Sequence, residues 1–314
     1  MHPRGGHAQG SRSWYQGFVH DGRPSLTSMA VATIRALYTD LPAPFAGAHD
    51  PIAGALVPRP LSLAARLAAR AAVSDRATGL VHHALGLASL GMTYHVALRT
   101  RAIDDALRES LAAGVRQLVV LGAGLDGRAY RMDELGDAAV FEVDHPSTQR
   151  DKRARLRAAR IEPKAREVRL VPVDFERDDL GASLAREGFS ADEPSFWIWE
   201  GVTVYLTRAA IAGTLHAVGA ASAPGSRLAL TYVPPREPRI ERILLVGGRV
   251  AARVIGEPVR GFVAPAELAA LGRDAGLDVF RDEGADAWAP RYWSTEYEGI
   301  FEWERLAILE RRAG

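Results

Sequence analysis

Residues Gln117–Tyr130 read Q-L-V-V-L-G-A-G-L-D-G-R-A-Y, and the fold turns on how this stretch is read. A short apolar run, Leu118–Leu121, stops at Gly122 and is followed by Gly124 and Gly127. The pattern predicts a strand, a glycine turn and then a helix. Glycine suits the turn because a ligand reaches the backbone only where no Cβ intrudes, and a tight turn can require positive φ. About twenty residues on, a second strand, Ala139–Val143, ends on Asp144, where a carboxylate can accept both hydroxyls of a ribose. These features point to a nucleoside-containing cofactor on a doubly wound sheet. They do not say which cofactor.

Downstream the pattern repeats. A third strand, Val168–Val173, ends on Asp174-Phe175; a fourth, Ser195–Trp199, ends on Glu200-Gly201; a fifth spans Arg227–Val233. Helical stretches separate them, and Thr207 is placed to cap one. Strands alternating with helices predict a parallel sheet covered on both faces, with ligands outside the carboxyl ends of the strands. A lone carboxylate there is usually a cap or a surface charge, but three at successive strand ends beside a glycine loop are harder to dismiss. The basic run after Pro146, Q-R-D-K-R-A-R-L-R-A-A-R, has no interleaved aromatic residue and reads as the solvent face of a crossover helix rather than a nucleic-acid patch.

Upstream, residues 25–114 read as a helical preface with no strand of its own, broken by prolines between 42 and 60. Helical segments fall at Leu61–Ala72 and around Leu80–Leu90, and the second half of residues 93–114 is amphipathic. Such a preface cannot bury its apolar faces alone, so it is expected to pack on the core and roof the site. Arg99, Arg101, Asp104 and Asp105 read, on helical spacing alone, as a solvated set of ion pairs. Residues 1–24 are expected to be a flexible tail. Beyond the fifth strand, residues 234–262 read as a helical insert over the site, and Pro265 opens another helix. Two closing strands, Leu277–Arg281 and Arg305–Glu310, flank an aromatic-rich loop with Trp288, Tyr292, Trp293 and Trp303.

Composition narrows the function. The 39 basic and 38 acidic side chains leave a net charge of +1, which offers no global field toward nucleic acid or an acidic membrane. There is no cysteine, so disulfides, thiolate metal sites and a cysteine nucleophile are excluded, and the composition fits a reducing cytoplasm. No run is long and apolar enough for a membrane span, and no secretory signal opens the sequence. No metal site is expected.

The blocks R-T-R-A-I-D-D, L-G-A-G-L-D, F-E-V-D-H-P, V-P-V-D-F and E-G-V-T-V-Y-L, in that order, resemble the leucine carboxyl methyltransferase family, and in particular its bacterial S-adenosyl-L-methionine-dependent branch. Gly127 stands where many relatives carry a hydroxyl residue. The resemblance runs from about residue 25 to the C-terminus and implies a Rossmann-like, class I methyltransferase sheet: seven strands, mostly parallel, closed by an antiparallel pair. It implies that residues 25–314 form a single domain, with the cofactor core in 115–233 and a closing helix and strands in 263–314. It implies further that Arg99 holds the methionine carboxylate, Gly122 and Gly124 floor the methionyl chain, and Asp144 takes the ribose. Asp174 and Phe175 would frame the adenine, and Glu200 would meet the amino end.

Because the methyl donor is already a strong electrophile, the expected chemistry is positioning of an oxygen nucleophile. Tyr205 and His95 are the candidates for chemistry, although a lone histidine on a helix is more often structural. The reading is thus an O-methyltransferase acting on a carboxylate or hydroxyl of a small metabolite. A nicotinamide-dependent oxidoreductase using the G-x-G-x-x-G pattern, or a non-catalytic cofactor-binding protein, is the alternative.

Overall fold

The computed structural model describes residues 26–173, 178–235, 261–297 and 304–313. The expected tail, Asp174 and Phe175, nearly all of the 234–262 insert, and Trp303 lie outside the described residues.

The core is a seven-stranded sheet in the order β3-β2-β1-β4-β5-β7-β6. Its strands are β1 (Gln117–Leu121), β2 (Ala139–Asp144), β3 (Glu167–Pro172), β4 (Ser195–Trp199), β5 (Arg227–Tyr232), β6 (Leu277–Glu283) and β7 (Arg305–Arg311). Every residue of β1 and β4 is buried, as expected of near-continuous apolar strands covered on both faces. β1 pairs in parallel with β2 on one side and β4 on the other, with Gln117 opposite both Ala139 and Ser195. β7 runs antiparallel between β5 and β6, so the sheet is mixed. Winding therefore reverses between β1 and β4, and the crevice at their carboxyl ends is where such sheets bind ligands.

The preface consists of α1 (Leu26–Asp40), α2 (Ala53–Leu56), α3 (Arg59–Ala71) and α4 (Asp75–Ala88), with no strand among the described residues. Both α1 and α4 pack on α5 (Met92–Ala112). That contact is welded by rings. His82 of α4 stacks between Phe45 at 3.8 Å and Tyr94 of α5 at 4.1 Å, with Trp293 edge-on at 4.8 Å. The Tyr38 hydroxyl meets His82 Nδ1 at 3.2 Å. Burial, with the neighbouring His83, pushes the His82 pKa down to about 3, so it is a neutral packing group. Gly86 permits the approach, because a Cβ there would collide with the hydroxyl end of the Tyr94 ring.

Four local expectations are corrected. The helix after the glycine turn is a single turn, α6 (Arg128–Arg131), followed by a 3-10 turn at Asp133–Leu135. Met132, with φ −96 and ψ 110, breaks the helix between them. α5 is helical from Met92 and buried on most of its circumference, since it is wedged between preface and sheet; the sequence showed amphipathic spacing only in its second half. The aromatic-rich loop contains a helix, which buries Trp288 and Trp293 despite an internal Pro290. The remaining helices are α7 (Pro146–Ala159), α8 (Leu180–Arg186), α9 (Arg208–Ala220), α10 (Pro265–Asp274) and α11 (Ala285–Trp293). Thr207 caps α9 by accepting from the Ala210 amide, and Pro265 opens α10. Lys152 corrects the solvent-face reading of α7, because it is buried on Glu142 at 2.8 Å while Arg150, Arg153 and Arg157 face water.

Candidate active site

The glycine turn is held against the end of β2: the Gly122 and Ala123 amides both donate to the Val143 carbonyl, at 2.9 and 3.1 Å. Gly122 has φ +65 and Gly124 φ +44, where a side chain would be strained. A Cβ on Gly122 would also lie 2.9 Å from Val202 Cγ2, just past the end of β4. The loop therefore has no room for one.

Asp144, at the end of β2, accepts from the Gly124 amide through Oδ2 and from the His145 amide through Oδ1, both at 2.6 Å. Those two bonds fix the carboxylate plane and, with the Thr148 hydroxyl, do not exhaust its lone pairs. Burial pushes the Asp144 pKa up, against the pull of these amides, of Lys152 and of the Thr148 hydroxyl.

Across the crevice, Glu200 follows β4 and collects three guanidinium groups. Arg35 Nη2 and Arg99 Nε donate to Oε1 at 3.1 Å each, and Arg128 Nη1 donates to Oε2 at 3.0 Å. Burial alone would raise the Glu200 pKa; Arg35, Arg128 and Arg99 outweigh it and hold the carboxyl well below the usual range. Arg99 also donates to Glu304, whose other neighbour is His95 Nε2 at 3.7 Å. Arg128 continues the network through Asp126 and Asp104, and Arg131 joins Asp104 at 2.7 Å and Asp50 at 3.5 Å. Three buried donors in this cluster, Arg35 Nε, Arg128 Nη2 and Arg131 Nε, have no hydrogen-bond partner among the described residues.

The preface reaches this crevice. Arg35 comes from α1, the Tyr205 hydroxyl donates to Thr27 Oγ1 at 3.2 Å, and a Cβ on Gly124 would touch Ser28 at 3.5 Å. The structure thus brings Arg99, Gly122, Gly124, Asp144, Glu200 and Tyr205 to one end of the sheet. His95 lies one helical turn from Arg99, has no exposed surface, and packs against Trp288 with ring centroids 5.4 Å apart.

The solvated ion-pair reading holds for Asp105, which pairs with Arg108 at 3.0 Å, but fails for Asp104, which is buried under Arg128 and Arg131. Arg101 lies over the Tyr292 ring at 4.4 Å. Sequence reasoning missed Arg35, Arg128 and Glu304. Arg128 sits inside the glycine stretch itself, so a signal was present there; nothing local marks Arg35 or Glu304.

Comparison with known proteins shows the family. The family model for leucine carboxyl methyltransferase matches residues 28–219. The chain belongs to the leucine carboxyl methyltransferase family. A relative from Mycobacteroides abscessus is 37% identical over 76% of this chain and 72% of its own length. Another, from Mycolicibacterium smegmatis, is 38% identical over 78% and 76%. A third, from Mycolicibacterium paratuberculosis, is 44% identical over a shorter match of 46% and 45%. All three are named as S-adenosyl-L-methionine-dependent methyltransferases. A methyltransferase structure from Thermobifida fusca covers 93% of this chain and 96% of its own, with TM-score 0.51 and 18% identity, a likeness of fold.

By family and fold the protein is a methyltransferase, and its cofactor is S-adenosyl-L-methionine. The residues present fit that molecule. Asp144 is an acceptor of the kind a ribose diol needs, the glycine turn has no side chain to obstruct a methionyl chain, and buried guanidinium donors without a hydrogen-bond partner among the described residues could serve an anion. The support for a nicotinamide cofactor was the glycine pattern together with Asp144, and Gly127 itself has an ordinary φ of −103.

Proposed function

We propose that this methyltransferase transfers the methyl group to an oxygen of a small metabolite, and to a carboxylate in preference to a hydroxyl. Bound at the crevice, the cofactor supplies an electrophilic methyl group. The protein then has to hold the acceptor oxygen in line with it and keep water away. Asp144 would bind the ribose, Gly122 and Gly124 the methionyl chain, and Arg99, backed by Glu200 and Glu304, its charged end. Asp174 and Phe175 are proposed for the adenine, and Tyr205, half-buried beside α1, for the acceptor side.

The observation that carries the acceptor class is the burial of His95. This candidate base has no exposed surface and is turned to Glu304 and Trp288, so it acts on Arg99 through Glu304 rather than on the acceptor. A carboxylate, with a pKa near 4, is ionised at neutral pH and needs no base, whereas a phenol near pKa 10 gains from one. The contacts of α1 with Tyr205, Glu200 and the glycine turn support an enclosed site suited to a small acceptor.

Two measurements test this. Asp144→Ala should weaken binding of S-adenosylhomocysteine by about a hundredfold or more, because two charge-assisted hydrogen bonds are lost. Transfer of labelled methyl to a panel of carboxylic and phenolic acceptors should give a base-labile ester. A base-stable ether as the sole product would overturn the preference for a carboxylate.

A further inference from the structure

Helices α3 and α4 present a surface that methyl transfer does not use. On α3, Arg59, Arg66 and Arg70 recur seven and four residues apart and share one stripe, with Leu63 and Leu67 on the stripe beside it. All five are exposed, whereas Ala65 and Ala69 face the core. On α4, Arg76, Leu80, His83 and Leu87 form a second exposed row. Leu80 is 66% exposed, Leu87 72%, and Val73, between the two helices, 84%. The helices pack against each other, so the rows are neighbours.

Apolar side chains left in water in such numbers mark an interaction site. Charge indicates the partner. Residues 59–90 carry four arginines and one acid, Asp75, and none of the four makes an ion pair among the described residues. Asp40 of α1 lies beside Arg66 and Arg70 across a shallow hollow. A second copy is disfavoured, because a two-fold contact sets these unpaired arginines against their own copies. An anionic lipid surface answers both features: leucines enter the acyl boundary while arginine stems reach back to the headgroups. The even charge of the whole chain, behind the expectation of no membrane partner, is an average that conceals this local excess. Among the described residues no helix is long and apolar enough to cross a membrane, so the contact would be peripheral.

We propose that the α3–α4 face docks the enzyme on an anionic lipid surface without spanning it. The test is sedimentation of the full-length protein with vesicles of phosphatidylcholine alone or mixed with phosphatidylglycerol. Wild type should partition to the mixed vesicles, less so at high salt, and hardly to phosphatidylcholine. The double variants Arg66→Gln/Arg70→Gln and Leu63→Gln/Leu67→Gln should each weaken partition about tenfold or more. Both should bind S-adenosylhomocysteine as wild type does, since these positions are exposed and outside the crevice. No partition to the mixed vesicles, or partition unchanged in both variants, overturns the proposal. So does a dimer, seen by light scattering without lipid, that the leucine variant splits.

Discussion

The side chains of Glu142 and Glu200 are both largely covered, lie on either side of β1, and are used in opposite ways. Glu142 sits within β2 and meets one cation, Lys152, at 2.8 Å. Burial dominates there and pushes the Glu142 pKa up in spite of that partner. Glu200 sits beyond the end of β4 and meets three guanidinium groups, which overcome burial and hold its pKa down. A one-to-one buried pair offers little net stability over an apolar pair of the same volume. A carboxylate with three cations anchors α1, α5 and the glycine turn to a single point, which a matched pair does not do.

The largest effect should come from Glu200→Ala, which leaves Arg35, Arg99 and Arg128 short of an acceptor. We expect a loss of about 3–5 kcal/mol in chemical denaturation, together with loss of S-adenosylhomocysteine binding. Glu142→Leu combined with Lys152→Met should cost about 1 kcal/mol or less and leave binding intact, although Lys152→Met alone should be much worse. A double variant as damaging as Glu200→Ala would break the comparison.

Acid titration sharpens it further. The lowered pKa of Glu200 stabilises the fold above the ordinary value of 4.5, and that contribution is lost as pH falls through the folded value. Glu200→Gln should therefore approach wild-type stability as the solution is acidified. Glu142, with its raised pKa, contributes with the opposite sign: its share is complete below 4.5 and is lost as pH rises through the folded value. Urea midpoints measured across that range distinguish the two. The smallest effect is expected for Arg155→Ala, which breaks the i,i+4 pair with Asp151 at 2.6 Å and should shift stability by a few tenths of a kcal/mol.

How much of this could be read from residues follows the same division. The strands and their acidic ends were legible because period, burial and turn are local properties; β4 was placed to the residue. Glu200 was visible as a strand end, but its partners were not. Arg35 lies 165 positions away and looks like any arginine on an amphipathic helix. Glu304 adjoins the start of β7 and reaches Arg99 only because that strand enters the sheet antiparallel, between β5 and β6. Asp104 was misjudged because helical spacing offers nearby partners, whereas packing buries it under Arg128. The helix at Ala285–Trp293 was hidden by Pro290 and by a density of aromatic residues that resembles a loop.

The missing side chain of Gly86 has a consequence for traffic. It lets α4 approach α5 until His82, Tyr94, Phe45 and Trp293 close into one block. Separating the helices would expose those rings at a cost on the order of 5 kcal/mol. At any instant that leaves roughly one molecule in a few thousand with the two helices apart. A route into the crevice that waited for this event would be closed nearly all the time. The α4–α5 contact is therefore expected to stay closed through turnover, a fixed wall rather than a hinge.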